Sequence, residues 1–276
     1  GKEVTVPADA DEGEVFADWL IRDDNPWFAR CGANRAWAWL MGRGVIHEVD
    51  DIRPDNPPSN PALLKALADE LVRSDYDMKR LIRTILTSQV YQLSSIPHSD
   101  DKRAGEQFAY YHARRMEAEV LIDAVCQITD TTESYSSPIP EPFTWIPERN
   151  RSIALPDGSI TSSFLDMFGR SPRDTGILSE RNNVPTGAQC LHLLNSTHIH
   201  RKVYDSKKLQ VLMRYTGEDL RPAVVRLYLT ILSRFPTEAE VARVEEYAKG
   251  EETGGVNALK DLAWALVNST EFLYRH

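Results

Sequence analysis

The feature that most constrains this chain is a helical spacing of apolar residues that recurs from end to end and fails in the middle. Leu63, Leu64, Leu67, Ala68, Leu71 and Val72 form one broad apolar stripe. Met78, Leu81, Ile82, Ile85 and Leu86 repeat the three-and-four spacing, as do Val120, Leu121, Ala124, Val125 and Ile128. Leu220, Val224, Leu227, Tyr228, Ile231 and Leu232 do so again near the C-terminus. Start signals agree with these stripes. Asn60 precedes Pro61, Asp77 precedes Met78, and Thr237-Glu238-Ala239-Glu240 is a capping box. From Thr129 to about Val184 the spacing is lost, and Pro138, Pro140, Pro142, Pro147 and Pro156 punctuate the chain. Short runs there such as Phe143-Thr144-Trp145-Ile146 and Ser152-Ile153-Ala154-Leu155 fit strands. The fold class is therefore mainly α: an irregular multi-helix domain with a long loop-rich middle segment and room for one short β-hairpin.

The same patterning divides the chain into an acidic N-terminal arm over 1–13 and a single helical domain over 14–276. Within that domain 14–129 reads as helical, 130–184 as loop-rich and 185–276 as helical. A chain of 276 residues can bury a substantial core. Phe143, Trp145, Phe164 and Phe168 imply that the irregular segment packs instead of remaining disordered. No apolar run approaches the ~20 residues needed to cross a bilayer. Gly1-Lys2-Glu3-Val4 carries no apolar signal region, so an export signal, if the protein has one, lies outside this sequence.

One early stretch packs a helix, a stop and a new helix start closely together. Trp37, Leu40 and Met41 continue an apolar face, and Gly42 and Gly44 bracket Arg43 where that helix should end. Asp50, Asp51 and Arg53 follow, then Asn56-Pro57-Pro58-Ser59 and the Asn60-Pro61 start. With Asn34-Arg35-x-Trp37, this stretch resembles the planctomycete-type domain of unknown function numbered fifteen-fifty-three. The resemblance continues at Thr87-Ser88-x-x-Tyr91-Gln92-x-Ser94-Ser95, at Arg114-Arg115-x-x-Ala118-Glu119 with Asp123-Ala124, and at Phe168-Gly169-Arg170. It runs through Leu193-Leu194-Asn195 to Leu262-Ala263-Trp264-Ala265-Leu266-Val267-Asn268-Ser269-x-Glu271-Phe272-Leu273. It implies a module that follows cytochrome-c-like modules in large exported proteins. An extracytoplasmic or cell-surface location and partners within the same longer polypeptide come with it. Where the family has a Cys-x-Cys-Glu-Arg-like element, this chain keeps Glu180 and Arg181 but has Leu178 and Ile177 among the preceding residues and neither cysteine. That departure removes the ground for a redox or metal role there.

A net charge of −9 argues against sequence-independent nucleic-acid binding, which needs basic surface. Cys31, Cys126 and Cys190 are far apart and read as free buried thiols. No CxxCH is present, so no haem is expected, and no cofactor is called for. His192, His198 and His200, with Cys190 nearby, read as surface and capping residues and not as a metal site.

The residues able to carry chemistry are Arg35, Asp50, Asp51, Arg53, Arg114, Arg115, Glu119, Asp123, Arg170, Arg173, Asp174, Glu180 and Arg181. Arginine forks bind carboxylates and phosphates, so convergence of this set makes a polar or anion site. The competing account is an ion-pair network pinning loops to helices. Arg35 and Glu119 stand out because each interrupts an apolar helix pattern, where a charge must be paired or reach the surface. The segment from Phe168 to Arg181 is expected to fold onto the Arg35–Arg53 stretch and take its charges as partners, which makes Arg35→Ala strongly destabilising. Three functions stay open. One is a structural or interaction module. Another is a hydrolase or transferase of a polar polymer such as a polysaccharide, with its acid and base among Asp50, Asp51, Glu119, Asp123 and Asp174. The third is a carbohydrate- or anion-binding module using the arginine set.

Overall fold

A computed structural model describes residues 6–7, 9–22, 24–101, 103–139, 145–171, 180–182, 184–214, 219–250 and 253–275. The chain is mainly α, and backbone proximity divides it into two compact units, Gly1–Ala113 and Arg114–Arg275.

The first unit begins with α1 (Glu12–Leu20), capped by the Asp11 carboxylate, which accepts from the N–H groups of Gly13 and Glu14. The apolar face of α1 is not buried, and Phe16 and Trp19 stack on each other at its surface. α2 (Phe28–Met41) starts after Asn25-Pro26 and ends where Gly42 takes the left-handed conformation, φ 81°, that only glycine adopts freely. It buries Ala29, Ala33, Ala36, Trp37 and Met41, while Trp39 faces solvent. α3 (Pro61–Arg73) is capped by Asn60, with proline in its first turn, and α4 (Met78–Leu86) by Asp77, both as the spacing predicts. The three helices share one core. Leu64, Leu67 and Leu71 of α3 and Leu81 and Ile85 of α4 meet the apolar face of α2. Trp37 packs edge-on against Phe108 at 5.1 Å between ring centres.

The second unit holds β1 (Arg114–Arg115), α5 (Ala118–Thr129), α6 (Ser163–Met167), α7 (Gly187–Asn195), α8 (Thr197–Tyr204) and α9 (Lys207–Leu212). It continues through α10 (Arg221–Ile231), α11 (Glu238–Tyr247), α12 (Val256–Val267), α13 (Thr270–Leu273) and β2 (Tyr274–Arg275). β1 and β2 pair antiparallel, Arg114 opposite Arg275 and Arg115 opposite Tyr274. The strand pair therefore ties the first and last segments of the unit. It does not lie in the loop-rich middle, where the sequence left room for a hairpin. There Ser152–Ala154 forms a single 3-10 turn because Asp123 draws its backbone N–H groups inward, and part of the Phe143–Ile146 run lies outside the described residues. The core runs through α5, α6, α8, α10 and α12, and Leu121, Ile122, Val125, Phe164, Leu165, Phe168, Leu227 and Leu259 are fully buried in it. Phe164 and Phe168 thus pack as the sequence implies. Trp145 does not, being 70% exposed. Thr237 and Glu240 form the expected capping box on α11. The run from Leu262 to Leu273 is divided between α12 and α13 because Ser269 caps a new start, accepting from the Phe272 N–H. Among the described residues, no helix is long and apolar enough to cross a membrane.

Candidate functional site

The polar residues picked out by sequence fall into local groups. Within the first unit Arg35 donates to Asp50, and Arg53 holds Asp51 at 2.5 Å, with Asp55 at 3.7 Å. The Arg35 side chain is 41% exposed, so this charge interrupts the apolar face of α2 by reaching the surface. Its buried neighbour is Asn34, fully inaccessible, which the sequence reading passed over. The Asn34 amide Nδ2 donates to the Ile46 and Val49 carbonyls, both at 3.0 Å, and its Oδ1 accepts from the Ile46 N–H at 2.9 Å. One neutral side chain thereby fixes the loop that carries Asp50, Asp51 and Arg53. The neck of that loop is closed where the Ser59 N–H donates to the Val45 carbonyl at 2.8 Å.

The second unit uses charges for the same task. Glu119 and Asp123 are four residues apart on α5, so both project from one face of it. Arg181 holds Glu119 with a two-pronged contact, 2.8 Å to each carboxylate oxygen, and Arg170 lies 3.5 Å away. Burial alone would raise the Glu119 carboxyl, but the hydrogen bonds and charge of Arg181, with Arg170, outweigh it and hold the group below the usual carboxylate range. Arg170 also donates to the Ile160 carbonyl and, at 3.2 Å, to that of Asp157. Within the second unit, these are the partners of the described arginines of the Phe168–Arg181 segment, Arg170 and Arg181. Asp174 and Arg173 lie outside the described residues. Glu180 accepts from the Ser171 hydroxyl at 3.1 Å.

The Phe168-Gly169-Arg170 motif has a steric reason. Phe168 is buried flat against Phe164, ring centres 4.1 Å apart. Gly169 turns at φ 87°, and a Cβ there would sit 1.9 Å from the Asn182 carbonyl oxygen. Only glycine lets the returning chain pass so close, and that passage brings Arg181 to Glu119. Arg115 covers the same motif. Its guanidinium lies 5.2 Å from the centre of the Phe168 ring and donates to the Phe168 carbonyl at 3.1 Å and to Gln189 Oε1. Burial pulls the Arg115 guanidinium below its ordinary pKa. Gln189, 3% exposed, also donates to the Met167 carbonyl at 2.8 Å and completes a capping box with Thr186. The Thr186-x-x-Gln189 spacing was its available signal. Arg114 contributes its backbone to β1.

Asp123 accepts from the Ser152 and Ile153 N–H groups at 2.7 and 3.1 Å, with Arg151 at 3.5 Å. Beyond it lies a cluster in which Lys202 and Glu133, which the sequence does not single out, meet His198 and His192. Lys202, 7% exposed, donates to the Thr132 carbonyl at 2.6 Å and pairs with Glu133 at 3.2 Å. Glu133 also meets His198 Nε2 at 2.9 Å, and His198 Nδ1 lies 3.4 Å from His192 Nε2. Burial opposes the Glu133 charge, but His198 and Lys202 together pull its carboxyl below the usual range. Burial and the neighbouring His198 lower His192. Both histidines are half-buried against Phe164 and not on the surface, while His200 stacks on Tyr204. Among the described residues no three His, Cys, Asp or Glu side chains converge as a metal site requires. The cysteines are free, but Cys31 and Cys190 are exposed, contrary to the buried thiols expected.

A cavity of about 280 Å³ opens beside this cluster, between the end of α5 and the segments around Thr132 and Asn150. It adjoins a second of about 640 Å³, the two sharing Asp130, Thr131, Thr132 and Arg149. Together they form a polar cleft in the second unit. Arg149, Arg151 and Arg201 stand exposed on its walls with Asp130, Glu148 and Asp205, while Asp123 and Lys202 lie buried at its base beside the largely covered Glu133 side chain.

Compared with known sequences, residues 14–248 match the family described as PSD1, protein of unknown function (DUF1553). No curated protein and no solved structure matches.

Proposed function

The chain belongs to the PSD1 family of proteins of unknown function, and from that premise we propose that it is a non-catalytic interaction module of a larger exported polypeptide. Its partner in this reading is a neighbouring cytochrome-c-like module, received by the polar cleft beside α5. The observation that carries the proposal is the commitment of the carboxylates. Glu119 is held by two arginines, and Asp123 by two backbone N–H groups with Arg151 beside it. A general acid or base works best with a pKa near the operating pH, and the ion pairs push Glu119 the opposite way. What stays open to a partner is the exposed wall of the cleft, with charges of both signs. Such a surface suits recognition of another charged protein surface, where complementarity sets orientation and specificity.

The test is calorimetric titration of this chain with a separately purified cytochrome-c-like module, repeated with Arg149→Glu and Arg201→Glu together. Binding that the reversed charges weaken by at least about tenfold supports the proposal. Saturable binding of neutral or acidic oligosaccharides in place of the module assigns the cleft to carbohydrate. Turnover of such a polymer, abolished by Glu133→Gln, makes the chain an enzyme.

A further inference from the structure

A third cavity in the second unit has a different character. It is a groove of about 610 Å³ between α8, α11 and α12, a volume typical of small-molecule sites. Its walls are largely apolar and aromatic. His200 lies flat on Tyr204, ring centres 3.9 Å apart, and Trp264 lines the same groove.

The polar centre of the groove is Asp261. Tyr204 donates its hydroxyl to one carboxylate oxygen at 2.5 Å, and Tyr247 donates to the other at 3.0 Å. Burial and Asp261 raise the Tyr204 hydroxyl above its ordinary pKa, and the hydrogen bond to Asp261 does the same for Tyr247, so both protons stay on the phenols. The direction of donation determines what the groove offers. A carboxylate has about four acceptor positions, and the phenols fill two. The phenol oxygens keep their own lone pairs, so the whole centre presents acceptors and no free proton. Asp261 makes no ion pair among the described residues and remains only partly exposed. Ring faces are electron-rich and attract cations. A partly buried negative charge, acceptors facing inward and aromatic walls together define a complementary ligand.

We infer that this groove binds a small organic ammonium ion with an apolar or aromatic body, its N–H donors meeting Asp261 and its body lying along Tyr204 and Trp264. Arg243 lines the same groove, is exposed and makes no ion pair among the described residues. It repels a second positive charge and so restricts the ligand to a single cationic end.

The test uses the whole 276-residue chain with three probes of similar shape: phenethylammonium, 2-phenylethanol and 3-phenylpropionate. Calorimetry or NMR titration should show saturable millimolar or tighter binding of the ammonium, with the alcohol and the anion weaker by about tenfold or more. Asp261→Asn should weaken the ammonium by a similar factor. Arg243→Ala should tighten it. Ala265→Trp should block the groove while leaving Asp261 in place. Equal binding of the neutral alcohol, unchanged ammonium affinity in Asp261→Asn, or no saturable binding to the unaltered chain overturns the inference. If Asp261→Asn fails to fold, the probe comparison and Ala265→Trp decide it alone.

Discussion

Each unit of this protein faces the same problem, a long irregular segment to be held against a helix, and they solve it with different chemistry. The first unit uses one neutral amide, Asn34, which satisfies three backbone groups of a loop only 12–15 residues away. The second uses ionised groups. Glu119 reaches Arg181 across 62 residues, and Glu133 reaches His198 across 65. A buried amide loses its interactions only when its partners move. A buried carboxylate also loses them when a proton arrives, and it leaves an uncompensated cation behind. The first unit should therefore be held independently of pH, and the second should not.

The sharpest way to break this comparison is Glu119→Ala. It leaves Arg181 and Arg170 without their carboxylate partner, and the second unit should lose on the order of 3–5 kcal/mol, read from denaturant melts or hydrogen exchange of α5. A loss under about 1 kcal/mol would place Glu119 among ordinary surface ion pairs.

Asn34→Ala comes next. It strands the Ile46 N–H and two carbonyls out of water, at about 1–3 kcal/mol for each group that no water can reach, so a total near 3 kcal/mol is expected. The loss should be the same at neutral and mildly acid pH, as amide exchange in α2 can show. A loss that grew on acidification would erase the distinction between the units.

Acid alone should separate them. Glu119 and Glu133 have folded pKa values below the ordinary 4.5, so they bind fewer protons folded than unfolded. Their contribution is fully present above that value and is lost as pH falls through the folded values. His192 is lowered from 6.5, so unfolding takes up a proton there first, and its contribution begins to fade below about that pH. Exchange protection in α5 and α8 should fall before that in α2 as pH drops from 7 through 4.5 and below. Parallel loss in all three would count against the ionic account.

The smallest effect belongs to Arg35→Ala. Its pair with Asp50 is partly exposed, and such pairs contribute about 0–1 kcal/mol. This reverses the strong destabilisation that the sequence alone suggests, and a melt shifted as far as that of Glu119→Ala would restore it.

The contrast also explains what could be read from the sequence. Local chemistry was legible: the caps at Asn60, Asp77 and Thr237 and the stop at Gly42 depend on residues within one turn. Glu119 was legible as an anomaly, because a carboxylate inside an apolar stripe must find a partner. The identity of that partner was not, since Arg181 arrives only through the left-handed turn at Gly169. Asn34 gave no anomaly. Asparagine is unremarkable in a helix until the loop carbonyls it serves are in place. Lys202, Glu133 and Gln189 stayed hidden for the same reason, each lying in a locally ordinary pattern and acquiring its role from segments far along the chain. Trp145 shows the converse, since apolar content in an irregular segment does not say which ring is covered. The division at residues 113 and 114 follows backbone proximity, whereas the sequence pattern changes at 129 and again at 184.

The closure of the first unit's loop at Val45 and Ser59 has a consequence for how this protein can change. α2 and α3 are joined through the neck of the loop, and Asn34 grips the stretch from Ile46 to Val49. Lengthening a flexible tip costs little, because closure entropy grows only slowly with length. Residues added around Asp55, where the chain is exposed, would extend the tip without shifting either helix. The same addition between Ile46 and Val49 would pull the backbone off the amide. Variation in length, whether by descent or by engineering, should therefore accumulate at the tip and spare the neck.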